Sequence, residues 1–119
     1  MLHVVNSTIT AAGRAVSVEQ AQARVLDSTL SGQIIGSHDS LIRIEGTSQL
    51  ANPFGNQLDL GSFLAVTGSS LTGTTRLDRF SEASLAGATA LGDLVCTTGA
   101  DAVCDGSETK ASSSCALCP

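Results

Sequence analysis

The chain has 119 residues, enough for one domain with a modest core. Hydrophobic residues make up 42%, which excludes disorder by composition; aromatics are only 3%, with no Trp or Tyr, so Val, Ile, Leu and Ala must build the core. A formal net charge of −5, with six scattered Lys and Arg, excludes nucleic acid and anionic membrane surfaces, which need clustered positive charge.

The first segment, "HVVNSTIT" (3–10), alternates apolar and polar residues as a strand does. It has neither the basic start nor the apolar stretch of about 7 to 15 residues of a signal peptide. It therefore reads as the beginning of an excised domain. No apolar run approaches the roughly 18 to 20 residues of a membrane span.

The second segment, "RVLDSTLS" (24–31), is a near copy of the first. Similar phrases follow, each closed by an apolar anchor: Ile9, Leu30, Leu50, Leu71 and Leu85. The intervals are 21, 20, 21 and 14 residues. Small polar residues precede most anchors, with Ser7, Ser28, Ser48 and Ser69 two positions before the first four.

Two more short apolar sets lie between the anchors. One comprises "AVSV" (15–18), "QII" (33–35) and "QLDL" (57–60); the other comprises "ARVL" (23–26), "LIRI" (41–44) and "FLAV" (63–66). Turns rich in Gly, Ser, Asn and Asp separate them. Three short strands per roughly 20 residues describe one coil of a solenoid, with neighbouring coils about 4.8 Å apart. The expected fold is all-β: a short right-handed three-sided parallel β-helix of about four coils over 1–95, with a cysteine-containing cap over 96–119.

Three features strain this register. Arg24 aligns with the apolar Ile42 and Leu64 at a position that should be buried. The segment "ANPFGNQ" (51–57) is longer than its equivalents and is expected to loop out, since Pro53 cannot donate to a ladder. Residues 17–30 and 81–95 can also be read as amphipathic helices, the first opened by Ser17 and Gln20 as a capping box.

The phrases "VVNSTIT" and "VLDSTLSG" resemble repeats of the pectin-lyase-like right-handed β-helix superfamily, in particular the non-enzymatic repeat regions of secreted and surface-anchored bacterial proteins. The resemblance covers roughly residues 3–87. "SLIRIEGTSQL" is similar to bactofilins, cytoskeletal polymers of short β-helices, although the hydroxyl-rich turns and the Cys-bearing tail depart from them. The first resemblance implies a structural or interaction module of a secreted or cell-surface protein.

All four cysteines, Cys96, Cys104, Cys115 and Cys118, fall in a tail of Gly, Ser, Thr and Ala that cannot build its own core. Two disulfides suit a secreted domain, and the sequence leaves three connectivities open. The rival is a structural zinc held by four thiolates, for which only Cys115 and Cys118 have knuckle spacing. No other cofactor is indicated.

"SHDS" (37–40) reads as a polar turn, because sequence neighbours cannot converge as a triad. His3, in the first strand, is expected to face solvent or a partner. Asp59 and Asp78 stand nearly one coil apart, which would put two carboxylates about 5 Å from each other. That is the separation a retaining glycosidase uses, so a glycan-binding or glycan-cleaving face is the alternative reading. Arg76 and Arg79 beside Asp78 explain the group equally as surface ion pairs.

A third reading takes the rows Thr8/Thr10, Thr29/Ser31, Gln49/Ala51, Ser70/Thr72 and Ser84/Ala86 as an outward hydroxyl lattice of the ice-binding kind. Gln49 and the alanines interrupt it. Finally, an uncapped first coil around Val4, Val5 and Ile9 would expose strand edges. The expected partner is a second copy of the chain or further coils upstream.

Overall fold

The computed structural model describes residues 1–51, 55–87, 89–97 and 99–119. It is a parallel β-solenoid of about six turns, so the sequence-based expectation of about four is too low. Among the described residues there is no helix. The described residues of both segments with a helical alternative form strands and turns instead.

One side is a six-stranded parallel sheet. It runs β1 (Leu2–Val5), β3 (Gln22–Leu26), β5 (Leu41–Glu45), β8 (Phe63–Thr67), β11 (Glu82–Ala86) and β14 (Asp101–Cys104). The other two sides share a second sheet, because β2 (Thr8–Glu19) and β4 (Thr29–Ser37) each run through a corner and contribute to both. One arm continues with β6 (Gln49–Ala51), β9 (Ser70–Leu71) and β12 (Ala90–Leu91). The other continues with β7 (Asn56–Leu58), β10 (Thr75–Leu77), β13 (Asp93–Cys96) and β15 (Ser112–Ser113).

The core is a bundle of in-register ladders. Ile9, Leu30, Leu50, Leu71 and Leu91 form one of them. The expected fifth anchor, Leu85, lies instead in the ladder Val4, Val25, Ile44, Val66, Leu85 on the six-stranded side. The conflict at Arg24 also resolves: Ala23 is the partner of Ile42 and Leu64, and Arg24 pairs with Arg43 on the outer surface. The expected register was one residue out. Outside, Arg24 Nη2 meets Glu45 Oε2 at 2.9 Å.

The corners follow from residue type. Asn6 and Asp27 have φ of 47° and 49°, and Gly46, Gly68 and Gly87 continue the left-handed column at equivalent turns. Asn, Asp and Gly tolerate this conformation best. The Asn6 N–H donates to Leu26 O across 3.1 Å, so the two turns of the doublet do stack.

Beside two of the corners runs a buried serine ladder. The Ser28 hydroxyl accepts from Ser7 N–H and donates to Leu26 O; Ser48 accepts from Ser28 N–H and donates to Glu45 O. Ser62 and Ser81 repeat the arrangement at another corner, accepting from Ser40 and Ser62 N–H. Each hydroxyl is small enough for the turn and satisfies backbone groups that burial would otherwise strand.

Of the segment 51–57 expected to loop out, residues 52–54, Pro53 among them, lie outside the described residues, whereas Ala51 ends β6 and Asn56 and Gln57 belong to β7.

Candidate functional site

The two ends of the solenoid differ. At the N-terminal end, β1 pairs only with β3 and β2 only with β4. Val4 is buried in the core, Ile9 is half-buried, and Leu2 and Val5 are each 44% exposed. At the other end, β14 and β15 extend the two sheets into the tail.

The cysteines join Cys96 to Cys115 and Cys104 to Cys118, with Cα separations of 5.0 and 5.3 Å. The pairing follows the coil geometry. Cys96 extends the ladder Leu58, Leu77, Cys96, and Cys115 lies 19 residues further, about one coil on. Cys104 stacks on Leu85. Cys115 and Cys118 are buried against the core, so the bridges also supply its last apolar layer.

The tail is fastened to both termini of β14, since Leu117 N–H donates to Asp101 Oδ1 at 3.1 Å and Cys118 bonds to Cys104. Each sulfur pair has one carboxylate nearby, Asp101 or Glu108; the four sulfurs do not form a single cluster.

Asp59 and Asp78 occupy equivalent positions just after β7 and β10. Arg79 grips Asp59 with two hydrogen bonds, one of them Nε to Oδ1 at 2.8 Å. That grip holds the Asp59 carboxyl below its usual range, against the opposing effect of burial. Asp78 is more enclosed. Burial pushes its carboxyl up, but Thr97, Arg76 and Gln57 outweigh this and hold it down. Thr97 Oγ1 donates at 2.6 Å, Arg76 Nε at 2.9 Å and Gln57 Nε2 at 3.0 Å. Both groups are thus ionised and engaged within the chain, an arrangement suited to bracing three adjacent coils.

The turn at 37–40 holds no triad. His38 and Asp39 are exposed left-handed corner residues, and Ser40 is buried with its hydroxyl donating to Val18 O and Ser37 O. His3 is exposed on the outer surface of β1. The expected rows stack over four coils, through Ser70 and Thr72, with hydroxyls in three of them and Gln49 and Ala51 in the other. Ser84 and Ala86 belong to the six-stranded side, so the fifth pair drops out and the row continues to Ala90 instead.

Sequence reasoning missed an ion pair inside the tail, Lys110 Nζ to Glu108 Oε1 at 3.2 Å, with side chains only 14% and 7% exposed. It also missed the charge arrangement on the outer face of the six-stranded sheet. The first joins residues two apart, a spacing that puts both on one face of an extended segment, whereas the second depends on how the coils stack.

No family model matches the chain, and no curated protein or solved structure matches it at a significant level.

Proposed function

We propose that the chain is a non-catalytic structural or interaction module of a secreted or cell-surface protein. It works by geometry: a stiff solenoid presents flat faces and corner turns, and its open first coil docks edge to edge with a second copy or with further coils. The observation that carries this reading is the inequality of the ends. The outer edges of β1 and β2 have no strand partner among the described residues, whereas the opposite end is tied to the tail. An unpaired edge beside exposed Leu2 and Val5 favours strand addition. The disulfides agree with an oxidising compartment.

Glycan cleavage draws less support. It needs one carboxyl that keeps its proton, and both Asp59 and Asp78 are shifted the other way. The ice-binding reading is weakened by Gln49 and Ala51 within a four-coil array.

The test is light scattering on the chain and on Val5→Pro. Asn6 N–H points toward β3, so backbone alternation sends the Val5 N–H to the open side. Proline there removes an outward donor while keeping the inner ladder. Association that Val5→Pro abolishes, with an unchanged circular dichroism spectrum, is the expected result. A strictly monomeric wild type at high concentration would overturn the proposal. Intact mass should rise by about 4 Da on reduction, from two bonds; a zinc ion retained in native mass would instead favour the thiolate site.

A further inference from the structure

The outer face of the six-stranded sheet is bare and electrically lopsided. Arg24 and Arg43 project from β3 and β5, while Glu82 and Asp101 project from β11 and β14. Leu41 and Phe63, register partners on the two central strands, sit half-buried between them. Arg24 is engaged by Glu45, but Arg43 and Glu82 are exposed and make no ion pair among the described residues. Each half of the face carries a hollow. One of about 90 Å³ borders Arg24, Leu41 and Arg43; the other, about 320 Å³, borders Phe63, Glu82 and Asp101. The second is edged by Val103 and Leu117, which are 57% and 64% exposed.

We infer that this face is the contact surface of a two-fold symmetric, antiparallel dimer of the chain. The face has opposite charges at its two ends and an apolar centre, so it complements a reversed copy of itself. A two-fold axis along the strands, between β5 and β8, exchanges β3 with β11 and β5 with β8. Leu41 of each copy then meets Phe63 of the other. Arg24 lies over the coil carrying Glu82. Both arginines stand two residues, about 7 Å, further along the strand than Glu82, and Arg43 is one coil further over, so it lies about 8 Å from that carboxylate in the plane of the face, a span its long side chain covers. Each contact occurs twice, as an isologous interface requires. Parallel stacking would instead set arginine against arginine and acid against acid.

Six strands of about five residues span roughly 450 Å² per copy. That is at the low end for specific association, so the dimer is weak, and screening weakens it further at high salt. This contact is separate from edge docking at β1. Val5 sits at the rim of this face, away from the Leu41–Phe63 and Arg43–Glu82 contacts, so proline there leaves those in place, and reversing charge at Arg43 leaves edge docking intact.

The experiment is sedimentation equilibrium on Val5→Pro as background, with Arg43→Glu and Glu82→Arg added singly, together in one chain, and as a mixture of the two single variants. The background should dimerise, more weakly as salt is raised. Each single reversal should weaken self-association by about tenfold or more, because two symmetric pairs become repulsive. The doubly reversed chain and the equimolar mixture should both recover the dimer. Both residues are exposed, so the fold is retained, which circular dichroism verifies. A monomeric background up to about 1 mM, the weak end of measurable association, overturns the proposal. So do single reversals that dimerise as the background does, or a mixture that fails to associate.

Discussion

Individual residues in this molecule are constrained mainly by the coil above or below. Gly46 is one example. It has φ of 71°, and a Cβ on it would lie 2.1 Å from the Asp27 carboxylate oxygen of the preceding turn. That same oxygen accepts from Thr47 N–H at 3.0 Å. Gly46→Ala must both hold a disfavoured backbone and displace the acceptor, so it should cost about 1 to 3 kcal/mol in urea unfolding. Asp78 supplies a pH signature. Its folded-state carboxyl titrates below the ordinary 3.8, so its stabilisation is complete above that value. It fades as pH falls through the lower folded-state value. Asp59 has the same sign. The melting temperature should therefore hold near neutrality and drop as the solution is acidified below about pH 4. Asp78→Asn should be less stable at pH 7 and show a shallower acid decline. An unchanged slope would rule out Asp78 as a contributor.

Ladders are the unit at the next scale, and they show how much the sequence discloses. Ile9 to Leu71 could be read directly, because serine two positions earlier marks the corner in all four coils. The next member could not. "EASL" imitates the phrase, but its Leu85 belongs to another side, and the true member is Leu91 in "ATAL". The coil count fell short for a related reason. In the last coils Ala102, Cys104 and Cys115 take positions that Leu, Ile or Val hold elsewhere, so hydrophobic periodicity fades while the stacking continues. The approximate alignment of Asp59 and Asp78 was readable, but Gln57 and Thr97, which grip Asp78 from adjacent coils, carry no sequence mark.

One ladder contains an anomaly with a measurable consequence. Between Ile34 and Leu94 it passes through Asn56 and Thr75. The Asn56 carbonyl accepts from Ile34 N–H at 3.2 Å. Thr75 Oγ1 is fully buried and has no hydrogen-bond partner among the described residues. Thr75→Val keeps the shape and β-branching of the side chain and removes the unsatisfied hydroxyl. It should stabilise the fold by about 1 kcal/mol, read as a raised melting temperature. A fall of similar size would show that the hydroxyl is satisfied in solution.

For the whole molecule, nearest-neighbour stacking makes stability a sum over coils. The bridges span 19 and 14 residues, so each acts on the end of the stack. Reduction should cost about 2 to 4 kcal/mol per bridge. Hydrogen exchange should accelerate first in β13 to β15, while β3 to β8 keep their protection. Uniform loss of protection would instead mean that the six turns unfold as one cooperative body.

If the first coil docks edge to edge with a second copy as proposed, its contrast with the fastened tail also sets how far such growth can proceed. A rod with two bare ends would add subunits indefinitely and become a fibril. Here one end is stoppered, so a union of two bare edges uses up both growing points and halts. The cross-linked tail is then a chain terminator, and its reduction should turn a self-limiting pair into a nucleus for polymerisation.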